Sequence, residues 1–128
     1  MRLLLDTHCF LWWISEPDLV STMAQELIAD GSNRLYWSAA SSWEVAIKYQ
    51  LGKLPMVEPP ETFIPAQLLL NRCESLHITD AHAFRAAQLP RHHSDPFDRM
   101  LVAQAQHESL ILLSQDAMLQ RYDIDIRW

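Results

Sequence analysis

Four carboxylates in this chain stand where short apolar runs give way to helix-like patterns. Asp6 ends the run Leu3-Leu4-Leu5, and Asp116 follows the run Leu110-Ile111-Leu112-Leu113. Asp98 falls in the first turn of a helix that Asp95 opens as N-cap and Pro96 as first helical residue. Glu44 lies early in a helix that Ser38 or Ser41 caps, after the run Leu35-Tyr36-Trp37-Ser38. With these runs as parallel strands, all four acids meet in the crevice beyond the strands' C-terminal ends. Taken singly, an acid at a helix start is an ordinary cap suited to the macrodipole, and a helical glutamate is usually a solvated side chain. Taken together, four ionised carboxylates repel one another unless a cation sits between them. Mg²⁺, with Mn²⁺ as a possible substitute, is the natural occupant of an all-oxygen set. Such ions polarise a phosphoryl oxygen and acidify water, so phosphodiester hydrolysis is the chemistry this set points to.

Several neighbours are candidates for orienting the acids or meeting a substrate. Thr7 and His8 follow Asp6; His8 is as well placed to pack as to line a site. Asp95 reads mainly as a cap, with a secondary chance to orient a ligand. Arg99, directly after Asp98, suits a phosphate or an acid, against the plainer reading of a surface ion pair of little energetic value. The adjacent His92 and His93 could ligate a metal or act as an acid–base pair, but loop histidines more often do neither. Trp12, Trp13 and Trp43 offer stacking surfaces, though most large aromatics are core.

The elements that must position these residues alternate strand and helix. Helices are expected over His8–Ile14 and Thr22–Ala29, the second capped by Ser21 with Glu26 near a capping-box position. A third runs from Ser38 or Ser41 to Leu51, with Gly52 as its C′ glycine. After the proline-rich connector 55–60, a helix starts between Glu61 and Pro65 and ends near Cys73, and Ser75–Ile78 reads as a strand. Thr79-Asp80 caps a helix over Ala81–Leu89, a short helix follows Asp116 to Arg121, and Ile124-Asp125-Ile126 reads as a last, edge strand. This alternation predicts an α/β fold with parallel strands and right-handed crossovers. A chain of 128 residues that is 49% hydrophobic fits one domain, 1–128, with a real core. Cys9 and Cys73 form no disulfide framework, and no apolar stretch is long enough for a membrane span, so a cytoplasmic protein is expected. The net charge of −6 is unusual for a protein that coats nucleic acid; a metal within the acids would reverse the local sign.

At these residues the chain resembles the PIN-domain family, in particular its VapC-like toxin branch from type II toxin–antitoxin pairs. The resemblance is carried by LLLDTHCFLWW at 3–13, SAASSWEVAIKYQLGKL at 38–54, LHITDAHA at 76–83, HHSDPFDRMLVAQAQ at 92–106 and LILLSQDAMLQRYDIDIRW at 110–128. It implies a PIN-like three-layer fold with a central, mainly parallel five-stranded sheet flanked by helices. It also implies a Mg²⁺-dependent ribonuclease whose acidic metal positions match Asp6, Glu44, Asp98 and Asp116, with Ser114 standing where the family usually has threonine. RNA as substrate, a cognate VapB-like antitoxin and a homodimer are the implied partners.

Three other readings compete. A non-catalytic module could keep the fold without activity, though the intact acid set opposes this. A Mg-binding receiver-type signalling domain would want a lysine late in the chain, and none follows Lys53. A metal-independent nuclease using His92 and His93 would ignore a chelator.

Overall fold

The computed structural model describes all residues, Met1–Trp128. Five strands, β1 (Arg2–Leu5), β2 (Arg34–Ser38), β3 (Cys73–Leu76), β4 (Ile111–Leu113) and β5 (Ile126–Arg127), form one sheet in the order β3-β2-β1-β4-β5. Every neighbouring pair is parallel. The helices are α1 (Thr7–Ser15), α2 (Thr22–Ala29), α3 (Ala39–Gln50), α4 (Pro60–Leu70), α5 (Asp80–Gln88) and α6 (Pro96–Glu108), with short 3-10 turns at Pro17–Leu19 and Ala117–Arg121. This is the expected α/β sheet with helices on both faces.

Alternation along β1 explains the layers. Leu3 and Leu5 face one core, with Phe10 of α1, Ile28 of α2, Val45 of α3 and Ile64 of α4. Leu4 faces the other, with Leu101 and Val102 of α6, Leu112 of β4, and Leu119. All three leucines of β1 are fully buried. A central strand flanked on both sides by partners, and covered on both faces, reads as a continuous apolar run. Because β2 and β4 lie on opposite sides of β1, the strand order reverses there, and the crevice opens beyond its end.

Local chemistry sets the boundaries. Ser21 caps α2 through the Ala24 amide; Glu26 takes no part in a capping box, because it lies beyond the third helical residue where the box closes. Ser38, not Ser41, caps α3, and Gly52 takes φ +72° just after the Leu51 cap. α4 begins at Pro60, with Pro65 inside it, and ends at Leu70. A turn with Arg72 at φ 52° follows, so β3 begins two residues earlier than Ser75. β5 lies later than Ile124, at Ile126–Arg127.

Arg99 has a different place from the one its neighbour Asp98 suggests. Its guanidinium donates to the carbonyls of Ala86 (3.0 Å), Leu89 (3.1 Å) and Pro90 (2.9 Å), and to the Tyr122 hydroxyl (3.2 Å). Those carbonyls close the C-terminal end of α5, where helix acceptors lack partners. Consecutive helical residues point about 100° apart, since a turn holds about 3.6 residues, so Asp98 and Arg99 serve different neighbours. Arg99→Ala should therefore lower unfolding free energy by about 2–3 kcal/mol in urea titration, with little change in the protein's affinity for Mg²⁺ by calorimetry.

Candidate active site

Asp6 is held at the end of β1 by its backbone, whose amide donates to the Leu113 carbonyl at 3.1 Å. Its side chain caps α1, accepting from the Cys9 amide at 2.7 Å, and lies near the Ser114 hydroxyl, which favours its ionised form. Asp116 follows β4 and caps the 3-10 turn after it, accepting from the Met118 amide at 2.9 Å. Asp95 is the N-cap of α6: one of its oxygens accepts from the amides of Phe97 (2.9 Å) and Asp98 (3.2 Å). Asp98, two residues after Pro96, is thereby released from capping and projects from the first turn. Glu44 comes from α3 and is buried, 4% exposed. Its Oε1 accepts the Thr7 hydroxyl at 2.7 Å, and its Oε2 lies 2.7 Å from Lys48 Nζ.

These residues line one cleft of about 520 Å³: Asp6, Thr7, His8, Trp12, Glu44, Lys48, Asp95, Asp98, Gln115 and Asp116. The four acids singled out by the sequence are all there, as are Thr7, His8 and Asp95. Ser114 is fully buried behind the cleft, against Asp6 and the Asp116 amide. Arg99 is turned away, held by the α5 carbonyls. His93 approaches from the side, its Nε2 3.7 Å from Asp98 Oδ2 and its Nδ1 2.8 Å from the Tyr122 hydroxyl. His92 packs edge-on to Tyr122.

The sequence reading missed Lys48, Ser41 and Gln115. Lys48 lies one turn beyond Glu44, a spacing that was visible in the sequence but is common on helix surfaces. Ser41 bonds Thr7 at 2.8 Å and is fully enclosed. Of the tryptophans, Trp12 reaches the cleft, while Trp13 bonds Asn71 and Trp43 lies exposed against Phe97.

The electrostatics are those of an acid set short of positive charge. Burial pushes the Asp6 carboxyl above its ordinary range; Ser114 and the Cys9 amide partly oppose this. Asp98 is pushed up to about 7, first by burial and then by Asp95, Asp6, Glu44 and Asp116. The donors are mostly carboxylate and hydroxyl oxygen, with His8 the one imidazole in the lining, and Lys48, the one lysine or arginine there, touches only Glu44. This chemistry fits a hard divalent ion. A separate cluster, His82, His107 and Glu108, brings ligand atoms within 4.8 Å of one another, closer than the four cleft acids stand to each other. There the Thr79 amide donates to His82 Nδ1 at 3.1 Å, so the neutral ring carries its proton on Nε2 and faces Glu108 as a donor, 3.7 Å away. That arrangement leaves His82 without a free lone pair for an ion, so only His107 and Glu108 could offer one. It also lies ten residues along α6 from Asp98, about 15 Å at helical rise.

Comparison with known proteins agrees with the fold. The profile of the PIN domain matches residues 3–125, and the chain belongs to the PIN-domain family. Within that family its relatives are VapC proteins. Ribonuclease VapC22 of Mycobacterium tuberculosis is 28% identical over 120 residues, 93% of this chain and 90% of that protein. Ribonuclease VapC16 of the same organism is 40% identical over 60 residues, 47% of this chain and only 41% of that protein's length. Among solved structures, VapBC2 from Rickettsia felis, bound to a DNA fragment from its promoter, has a TM-score of 0.72 at 16% identity and covers 99% of this chain and 98% of its own. DNA-bound VapBC from Salmonella typhimurium has a TM-score of 0.72 at 17% identity, covering 99% and 97%. The fold is thus the PIN-domain fold, shared with the solved VapBC structures.

The raised Asp98 carboxyl has a consequence for stability. Its folded pKa, about 7, exceeds the ordinary value of 3.8, so the folded state holds the proton more tightly. The resulting stabilisation is complete below about pH 4 and is lost as pH rises through 7. Without divalent metal, chemical denaturation should therefore show stability falling between about pH 4 and 7, the span set by the two values, less steeply in Asp98→Asn. Added Mg²⁺ should raise stability most at the alkaline end, where the acids are ionised.

Proposed function

We propose that this chain is a metal-dependent endoribonuclease, the toxin of a type II toxin–antitoxin pair. The observation that carries the reading is the cleft itself: four acids from four separate elements converge at the sheet's switch point with an all-oxygen donor set. Asp6 and Asp98 would anchor a Mg²⁺ ion, and Glu44 and Asp116 would complete its surroundings or orient the attacking water. The bound ion would polarise a phosphoryl oxygen and acidify water. Thr7 fixes the rotamer of Glu44, and Ser114 that of Asp6, so the acids keep their positions while the charge between them changes.

The names of the relatives support the substrate class: both VapC relatives are described as ribonucleases. The solved neighbours are toxin–antitoxin assemblies, which supports a cognate antitoxin here as well. The surface has room for one. An apolar groove of Leu11, Ile14, Leu54, Met56, Val57 and Phe63 lies beside α1, and Val57 is 98% exposed. Leu69 and Leu70 are also exposed, at 82% and 75%, and suit self-association. No helix is long and apolar enough to cross a membrane, and we place the protein in the cytoplasm with its RNA substrate.

The reading predicts cleavage of an RNA pool with Mg²⁺ or Mn²⁺ and none with excess EDTA. Asp6→Asn and Asp98→Asn should each lower the rate by at least about 100-fold while folding normally. Hydrolysis should leave 5′-phosphate and 3′-hydroxyl ends, resolved by end-labelling. Equal cutting by wild type and Asp98→Asn, or cyclic-phosphate ends insensitive to EDTA, would overturn it in favour of histidine chemistry.

A further inference from the structure

Lys48 is the only lysine or arginine lining the acidic cleft. It leaves α3 one turn after Glu44, and its Nζ sits 2.7 Å from Glu44 Oε2. The two partners are exposed very differently: the Glu44 side chain 6%, the Lys48 side chain 39%. The ammonium thus stands at the rim, with a buried carboxylate on one side and open cleft on the other. An ammonium has three donors, and Glu44 is its one side-chain partner. Loss of the pair would leave the buried Glu44 carboxylate without its cation, so Lys48 supports Glu44 as well as standing over the cleft. Position near the C-terminal end of α3 suits a cation, but that preference is met by any lysine pointing to solvent and does not require one over the cleft.

Placement relative to the acids is more telling. Glu44 has one oxygen held by Thr7 and the other by Lys48. The lysine is therefore fixed beside a carboxylate of the reacting centre rather than free to sweep the surface. An RNA strand whose scissile phosphate reaches the acids must carry its next phosphates past the rim. The net charge of −6 makes that approach unfavourable everywhere except where a cation faces the strand.

Resting on the ribonuclease reading, we propose that Lys48 is a substrate-binding residue that contacts an RNA backbone phosphate flanking the scissile one, with Glu44 as its tether. The contact is electrostatic and independent of base identity, so it positions the strand without selecting sequence. Arginine at this position keeps the charge; glutamine removes it while remaining able to hydrogen-bond Glu44.

The test uses the full chain in an Asp116→Asn background, so that a short fluorescein-labelled single-stranded RNA is bound with Mg²⁺ but not consumed. Affinity is read by anisotropy across a salt series for Lys48, Lys48→Gln and Lys48→Arg, with Mg²⁺ affinity measured by calorimetry on each. Loss of one phosphate contact on a single strand reduces the slope of log affinity against log salt by about 0.7. Lys48→Gln should show that reduction and a several-fold weaker affinity at low salt, with Mg²⁺ binding retained; Lys48→Arg should restore the slope. An unchanged slope in Lys48→Gln, or an affinity loss that follows weakened Mg²⁺ binding instead of salt, would leave Lys48 as a structural partner of Glu44 and overturn the proposal. Wild-type cleavage assayed in parallel separates the two failures. Metal-dependent cleavage with an unchanged slope removes the Lys48 contact alone, whereas absence of both cleavage and RNA binding removes the ribonuclease reading with it.

Discussion

Repulsion among carboxylates gathered in one cleft is the constraint under which the rest of this structure is arranged. Asp6, Glu44, Asp98 and Asp116 line a single cleft, and Asp98 is held near 7 because its surroundings combine burial with four further acids. Such a set would spread apart if its supports could move. They cannot move easily, because Asp6 ends a strand buried on both faces and paired on both sides. The leucines on either face of β1 therefore set the position of a charged group they never touch.

The helix termini lessen the repulsion. α1, α6 and the 3-10 turn after β4 all begin at the cleft, and their first amides point at Asp6, Asp95 and Asp116. Each terminus carries partial positive charge, so the fold supplies a fixed, incomplete countercharge at the place where acid is concentrated. The division of labour in Asp95-Pro96-Phe97-Asp98 follows from this. Asp95 uses one oxygen on two amides of the first turn; Pro96 lacks the amide that would have needed a partner; Asp98 is left with its carboxylate free. Two acids three residues apart thus have opposite duties, one electrostatically satisfied and one not.

Much of this was legible before any coordinates. The four acids follow apolar runs or open helices, and parallel strands with right-handed crossovers gather such positions at one edge. The structure brings them there, with Thr7 and His8 beside them. What the sequence hid was side-chain direction and the edges of the sheet. Arg99 sits next to Asp98 in the chain but turns to the end of α5, because neighbouring helical residues face different sides. Lys48 carries no signal of its own in the sequence, since nothing in a Glu–Lys spacing of four shows that the glutamate is buried. The edge strands were misplaced for a related reason. β3 buries only Cys73, and β5 is two residues long, so neither has the continuous apolar run that made β1 and β4 plain. Ile78, counted towards β3, lies beyond it and is 39% exposed.

The dispersed origin of the acids also bears on how metal and folding are coupled. Asp6, Glu44, Asp98 and Asp116 come from β1, α3, α6 and the segment after β4, separated by tens of residues. An unfolded chain does not hold them together, so an ion that needs several of them binds the folded state alone and stabilises it by mass action. The folded chain in turn holds the acids at a spacing they would not choose. Thr7 and Ser114 keep Glu44 and Asp6 oriented whether or not countercharge is present. On the proposed reading such a site would be assembled before an ion arrived, and repulsion among its carboxylates would strengthen binding of a cation that sits among them. The same logic makes the cleft receptive to a cationic side chain from a protein partner, because what the acids lack is positive charge, whichever molecule carries it.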